Sequence, residues 1–395
     1  MSNTQKKNVP ELRFPGFEGE WEEKKLGDLT DRVIRKNKNL ESKKPLTISG
    51  QLGLIDQTEY FSKSVSSKNL ENYTLIKNGE FAYNKSYSNG YPLGAIKRLT
   101  RYDSGVLSSL YICFSIKSEM SKDFMEAYFD STHWYREVSG IAVEGARNHG
   151  LLNVSVNDFF TILIKYPSLE EQQKIGKFFS KLDRQIELEE QKLELLQQQK
   201  KGYMQKIFTQ ELRFKDENGE EYPEWENKFI KDIFIFENNR RKPITSSLRE
   251  KGLYPYYGAT GIIDYVKDYL FNNEERLLIG EDGAKWGQFE TSSFIANGQY
   301  WVNNHAHVVK SNDHNLFFMN YYLNFKELRV FVTGNAPAKL THANLCNINL
   351  KIPCLTEQDK VSALLKSIDN KMNNQMNRIE LLKERKKGLL QKMFI

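Results

Sequence analysis

The chain repeats itself. Pro167-Ser-Leu-Glu-Glu-Gln-Gln-Lys aligns with Pro353-Cys-Leu-Thr-Glu-Gln-Asp-Lys at an offset of 186 residues, and the register then holds without a gap to Phe394. Asp183 falls on Asp369, and Glu194-Leu-Leu falls on Glu380-Leu-Leu. Lys200-Lys-Gly-Tyr-Met-Gln-Lys-Ile-Phe208 falls on Lys386-Lys-Gly-Leu-Leu-Gln-Lys-Met-Phe394. Of the 42 aligned positions, 15 are identical. A repeat of this length constrains the fold more than any local pattern, because each copy must build the same unit.

Two further blocks extend the repeat. Glu11-Leu-Arg-Phe14 recurs as Glu211-Leu-Arg-Phe214, and Trp21-Glu-Glu-Lys-Lys-Leu-Gly-Asp-Leu recurs as Trp225-Glu-Asn-Lys-Phe-Ile-Lys-Asp-Ile. Gly50-Gln-Leu-Gly-Leu-Ile-Asp56 is echoed more faintly by Gly258-Ala-Thr-Gly-Ile-Ile-Asp264. The 395 residues are therefore two copies of one unit, alike at their edges and different in the middle. Either drift or a difference of task separates the middles, since surface loops vary readily.

Residues 168–208 and 354–394 each predict one long helix. Apolar residues recur at heptad spacing in two stripes: Ile175, Leu182, Leu196, Tyr203, and Phe179, Ile186, Leu193, Ile207. The second copy gives Val361, Ile368, Leu382, Leu389, and Leu365, Met372, Ile379, Met393. Sustained heptads rich in Gln, Lys, Glu and Arg argue a coiled coil, and the simplest partner for each helix is its twin, antiparallel. Glu189 and Gln375 interrupt one stripe, Lys200 and Lys386 the other, at equivalent places. Such residues are either solvated gaps or devices that fix register.

The variable middles mix short β-like runs, among them Leu110–Ile116, Thr161–Ile164 and Ala306–Val309, with helical candidates at Lys122–Val138 and Asn315–Val332. The fold class expected is α+β: two globular units joined by two long antiparallel coiled-coil helices, with internal two-fold pseudo-symmetry. The boundaries expected are 1–166, with an arm over 1–20, then 167–210, 211–352 and 353–395.

Composition limits what such a chain does. Three cysteines without a CxxC exclude a disulfide framework and a cysteine-cage zinc site. No run of 18 apolar residues occurs, and the first residues carry no apolar leader, so a cytoplasmic location without membrane attachment is expected. The net charge of +6 suits a polyanion partner without requiring one.

The sequence carries no recognisable catalytic motif. Gly280-Glu-Asp-Gly-Ala-Lys-Trp-Gly287 lacks the Lys-Ser/Thr of a phosphate loop and reads as a turn between strands. No Gly-rich methyl-donor loop and no Asn-Pro-Pro-aromatic tetrapeptide is present. His305 and His307 form a lone H-x-H, better read as strand or loop histidines than as metal ligands. Glu190-Gln-Lys192 and Glu384-Arg-Lys386 match the tail of a nuclease motif but lie on charged helix faces. The loops instead mix Asn, Lys, Arg, Tyr and Trp, which suits phosphate contacts and base-edge hydrogen bonds.

Taken together, the prolines before each helix with their Leu-x-Glu-Gln continuations (Pro167, Leu169, Glu171, Gln172; Pro353, Leu355, Glu357, Gln358), the Lys-Lys-Gly…Gln-Lys-x-Phe exits and the Glu-Leu-Arg-Phe…Trp entries resemble the specificity (S) subunits of Type I restriction–modification systems. The resemblance implies two target recognition domains, each reading half of a split double-stranded DNA sequence. It also implies two methyltransferase (M) subunits and, through them, motor-nuclease (R) subunits as partners, with the helices as spacer and docking surface. No cofactor is expected on this chain; S-adenosylmethionine, ATP and Mg²⁺ would belong to the partners. The candidate DNA contacts are Lys85, Tyr87, Asn89, Arg98 and Arg147 in the first unit, and Lys285, Trp286, Asn304, Lys339 and His342 in the second. The alternatives are a coiled-coil adaptor that binds proteins only and an autonomous DNA-modifying enzyme. The second unit lacks an evident counterpart of Tyr83-Asn-Lys-Ser-Tyr87.

Overall fold

A computed structural model describes residues 8–50, 52–61, 69–86, 90–142, 152 and 154–395. It divides into two compact units: residues 1–190 with 378–395, and residues 191–377. Contacts thus divide the chain within both long helices rather than ahead of them. No helix among the described residues is long and apolar enough to cross a membrane.

In the first unit, β1 (Glu22–Lys25) pairs antiparallel with the last strand, β10 (Leu163–Tyr166), as Glu22↔Tyr166 through Lys25↔Leu163. The main sheet has the order β2-β9-β6-β7, built from Thr30–Arg32, Tyr111–Ile116, Phe81–Asn84 and Ala95–Arg98. A hairpin, β3 (Leu46–Ser49) and β4 (Gly53–Asp56), and a pair, β5 (Thr74–Lys77) with β8 (Ser104–Leu107), complete its strands. The second unit reproduces the plan. β11 (Glu226–Phe229) pairs with β19 (Asn349–Ile352), and β12-β18-β15-β16 (Ile235–Phe236, Ala306–Lys310, Arg276–Gly280, Ser293–Ala296) repeats the sheet order. Its third sheet is β14-β13-β17, from Gly261–Val266, Lys251–Gly258 and Trp301–Val302.

Each sheet carries one helix, α1 (Lys122–Asp130) or α3 (Leu316–Phe325). Both are shorter than the sequence predicts. After Asp130 the Ser131 backbone turns extended, its hydroxyl donating to the Tyr128 carbonyl, and a separate helix begins at Tyr135. After Phe325 the chain is extended at Lys326 and resumes as a single 3₁₀ turn, Arg329–Phe331.

The long helices are α2 (Leu169–Phe208) and α5 (Leu355–Met393). Ile175, Phe179, Leu182, Ile186, Val361, Leu365, Ile368 and Ile379 are buried, while Leu193, Leu196, Met372 and Leu382 are half-buried. Within the first unit the two helices run antiparallel: Asp183 meets Lys386 at 2.6 Å and Glu189 meets Arg378 at 2.8 Å. Within the second unit, Lys200 meets Asp369 at 2.6 Å, the same pair of the repeat. The polar interruptions of the stripes are therefore engaged: both lysines are ion-paired and Gln375 is 5% exposed.

The repeated motifs are repeated contacts. Glu171 is paired with Arg13 and Glu357 with Arg213, at 2.7 and 2.8 Å, and each carboxylate is 1% exposed. The Gln172 amide donates to the Pro167 carbonyl, and its oxygen accepts from the Ser121 N–H at the cap of α1. Gln358 does the same with Pro353 and with Asn315 at the cap of α3. The Leu12 N–H donates to the Lys392 carbonyl and the Leu212 N–H to the Lys206 carbonyl, both at helix ends. One Glu-Leu-Arg-Phe reaches its helix end through space and the other through the chain.

A buried charge cluster ties α1 to the helices in the first unit. Asp130 accepts from Lys97 at 2.6 Å and from Lys386 at 2.7 Å. Burial opposes its ionisation, yet the two ammonium groups hold its carboxyl well below the usual range. Next to it, burial pushes the Glu126 carboxyl up to about 7; Arg98 opposes the rise, while Asp130 and Asp183 add repulsion. A folded pKa above the unfolded value means that protonation stabilises the fold. That contribution is complete below the unfolded value of 4.5 and is lost as pH rises through about 7. Glu126→Gln is therefore expected to flatten the decline in melting temperature between about pH 5 and about pH 8, read by thermal unfolding against the wild-type chain. An unchanged slope would remove Glu126 as its source.

Candidate nucleic-acid interface

The loops that follow the central strands of the second unit converge on one edge. In the second unit β15 ends at Gly280, and the next two residues gather two other loops. The Glu281 N–H donates to the His305 carbonyl at 2.8 Å, and the Glu281 carbonyl accepts from the Leu340 N–H at 2.8 Å. Arg241 pairs with Glu281 at 2.7 Å and also donates to the Ala306 carbonyl. Asp282 pairs with Lys339 at 3.2 Å and with the His305 ring. His307, 1% exposed, sits between the Asn238 side chain and the Leu340 carbonyl, and burial lowers its pKa.

Four of the five candidates in this unit thus sit near one another in the fold, in different roles. Lys285 and Asn304 are exposed, and Lys285 forms no ion pair among the described residues. Lys339 faces the same cluster through Asp282. Trp286 is corrected: it is 7% exposed and packed in the core, and its indole N–H donates to the Gly280 carbonyl at 3.1 Å. It braces the loop from beneath. His342 is exposed at the start of α4 (His342–Cys346), with its ring against Phe236 at 4.5 Å. Arg241, Asp282 and His305 are the residues that sequence reading missed, since their pairings span 23 to 65 residues and leave no local signal.

One of these contacts recurs in the first unit. The Lys85 carbonyl, just past β6, accepts from the Leu152 N–H at 2.9 Å, as Glu281 accepts from Leu340. The counterpart of Tyr83-Asn-Lys-Ser is therefore Ile279-Gly-Glu-Asp, unrecognisable by side chain but equivalent by sheet position. The Lys85 ammonium turns back to the Val154 carbonyl at 3.4 Å. Arg98 is also corrected: its guanidinium is bound to Asp123 and Glu126 of α1 at 2.7 and 2.8 Å and serves packing. Tyr87, Asn89 and Arg147 lie outside the described residues. No group of three metal-binding side chains gathers among the described residues.

Comparison with known proteins decides what these two units are. The model of the Type I restriction modification DNA specificity domain matches residues 18–198 and again 222–384, one match per copy of the repeat. The chain belongs to that family. A putative type I restriction enzyme specificity subunit of Haemophilus influenzae is 40% identical over 147 residues, which is 37% of the length of either protein. The MjaVIII specificity subunit of Methanocaldococcus jannaschii is 23% identical over an alignment covering 97% of this chain and 93% of its own. The crystal structure of a Type I S subunit from M. genitalium superposes with a TM-score of 0.62 at 16% identity, over 98% of this chain and 99% of that one, and shows the shared fold. Both copies of the repeat are therefore DNA specificity domains of that family.

Proposed function

We propose that this chain reads a split duplex target for a Type I restriction–modification complex, one half-site per unit, while partner subunits carry out methylation and cleavage. The observation that carries the reading is the shared loop clamp, Lys85 to Leu152 and Glu281 to Leu340. One scaffold holds the same loops in both units and presents different side chains from them, which is what reading two unlike half-sites requires. The cofactors of the complex, S-adenosylmethionine, ATP and Mg²⁺, then belong to the methyltransferase and motor-nuclease partners, and the assembly works in the cytoplasm.

The docking surface for two methyltransferase subunits is narrower than the repeat. Much of the repeated chemistry is used inside the fold, as Glu171, Gln172, Lys200 and their twins show. The repeated residues left exposed include Leu195 with Leu381 (64% and 66% exposed), Lys201 with Lys387, and Gln205 with Gln391, on the second half of each helix. We assign docking to these outward positions, one set per helix.

The test of DNA reading uses the chain with its methyltransferase partner. Asn304→Ala is expected to relax one position of one half-site, at a cost of about 1–3 kcal/mol, in methylation sequencing and gel shifts. Lys285→Ala is expected to weaken all duplexes alike and to reduce the salt slope by about one. Changes in both half-sites from Asn304→Ala would defeat the assignment of one half-site per unit. Absence of any salt-dependent band would favour a protein-only adaptor.

A further inference from the structure

One hairpin exists in both units but is built differently in each. In the first unit, β3 and β4 pair without irregularity, Ile48↔Leu54 and Thr47↔Ile55, and Leu54 and Ile55 are 1% and 4% exposed. The hairpin of β13 and β14 carries the echo of that sequence, Gly258-Ala-Thr-Gly-Ile-Ile-Asp264. Here Tyr256 pairs with Asp264 but Tyr257 pairs with Ile262, so Ile263 is an extra residue without a partner across the ladder. Successive strand residues face opposite sides, and a regular β14 would bury one of the two isoleucines. The bulge defeats that alternation. Ile262 is 46% and Ile263 49% exposed, where their counterparts are buried. Bulges re-aim side chains in this way and concentrate beside functional sites.

The exposed pair borders the polar loop cluster. A methyl group at Gly280 would stand 3.0 Å from the Ala259 carbonyl at the hairpin tip, and one at Gly258 would stand 3.6 Å from the Asn303 amide. The tip therefore packs directly on the strand end and loop that present Lys285 and Asn304. Residues 238–269 hold six Lys and Arg against three Asp and Glu. Four of the six bases are ion-paired, Arg240 to Glu274, Arg241 to Glu281, Arg249 to Asp264 and Lys267 to Glu250, which leaves Lys242 and Lys251 as exposed cations available to a polyanion. Lys242 is exposed and forms no ion pair among the described residues.

We infer that Ile262 and Ile263 make an apolar contact with base edges of duplex DNA, against the C5-methyl group of thymine, beside the hydrogen-bonding loops of the second unit. Thymine presents the one apolar group among the base edges of the major groove, and aliphatic side chains recognise it. The inference rests on the reading that these loops face DNA, and adds a second kind of readout confined to one half-site.

The experiment uses the chain in complex with its methyltransferase partner. Methylation sequencing first assigns the target and, from Asn304→Ala, which half-site the second unit reads. Fluorescence anisotropy then compares duplexes in which the thymines of that half-site are replaced one at a time by deoxyuridine, which removes only the methyl group. Wild type is expected to lose affinity about fourfold or more at one position, the worth of a buried methyl. The double variant Ile262→Ser, Ile263→Ser is expected to show that loss on the thymine duplex already and to be indifferent to deoxyuridine. Ile262→Val, Ile263→Val keeps the strand preference and should show an intermediate response, whatever the folding of the serine variant. A valine variant that responds to deoxyuridine as fully as wild type would overturn the inference, as would a half-site containing no thymine. Unchanged DNA binding with loss of the methyltransferase subunit would overturn it in favour of a protein contact. If wild type itself does not distinguish its target from a scrambled duplex, DNA reading has failed rather than this contact.

Discussion

Glu171→Ala is expected to cost the first unit about 3 kcal/mol, and Glu357→Ala is expected to cost the second unit more. Removing one partner of a buried ion pair leaves a desolvated charge behind, typically at about 3–5 kcal/mol. The arginines are 14% and 16% exposed, and each keeps backbone carbonyl acceptors, Gly19 and Glu18 for Arg13, Tyr222 and Pro223 for Arg213. Those contacts hold the loss near the lower end. The second unit loses something further: the Trp225 indole N–H donates to Glu357 at 3.3 Å, whereas the Trp21 indole N–H has no hydrogen-bond partner among the described residues. The difference between the two variants should be about 1.5 kcal/mol, the lower end for a hydrogen bond to a charged group, because 3.3 Å is long for such a bond. Thermal or denaturant unfolding reads both losses. The pair Arg13→Met, Glu171→Met should recover most of the first, since well-packed apolar replacements of buried ion pairs are commonly neutral or better. If the repeated glutamate existed for docking, Glu171→Ala would melt like wild type and fail only to hold the methyltransferase subunit. That outcome would sink the structural role assigned here.

The same residues show how far sequence reading reaches. Heptad spacing locates the seam because burial along a helix has a fixed period, and every seam position named from sequence is buried or half-buried. The repeat locates Glu171 and Glu357 as important but leaves their partners unnamed, since Arg13 and Arg213 are 158 and 144 residues away. It leaves their role open, because an identical pair in two copies is equally the mark of a docking site and of an internal strut. Trp286 and Arg98 carry side-chain chemistry that suits DNA, and that chemistry is directed inward, to Gly280 and to Asp123 and Glu126. Composition describes what a residue offers; burial decides which side takes it. The bulge at Ile263 is the opposite case. The echo in Gly258–Asp264 is visible in the sequence, but one added residue in the ladder reverses which copies of Leu-Ile or Ile-Ile meet solvent.

A heptad inserted after Leu193, with a second after Ile379, is expected to lengthen the unread stretch between the two half-sites and leave both half-sites unchanged. Each long helix contributes residues to both units: α2 changes unit at Glu190–Gln191, and α5 at Asn377–Arg378. The insertions therefore fall within three residues of the changeover and leave most of the packing of each unit in place. Asp183–Lys386 and Lys200–Asp369 keep their partners, because both members of each pair move together. The pair Glu189–Arg378 is lost, but Arg378 is 56% exposed, and ion pairs of that kind contribute about 1 kcal/mol or less. Seven residues keep the apolar stripes in phase and add about 10 Å of helix. Duplex DNA rises about 3.4 Å per base pair, so full transmission corresponds to roughly three base pairs. Inserting into one helix alone permits a bulge that absorbs the length, and the paired insertion removes that escape. An insertion of two residues should instead rotate Leu196 and Lys200 away from the seam and cost folding or assembly. Single-molecule methylation sequencing of cells carrying the double insertion should report a spacer longer by about one to three base pairs. A fully active double-insertion chain that keeps the original spacer would show that helix length does not measure the distance between half-sites.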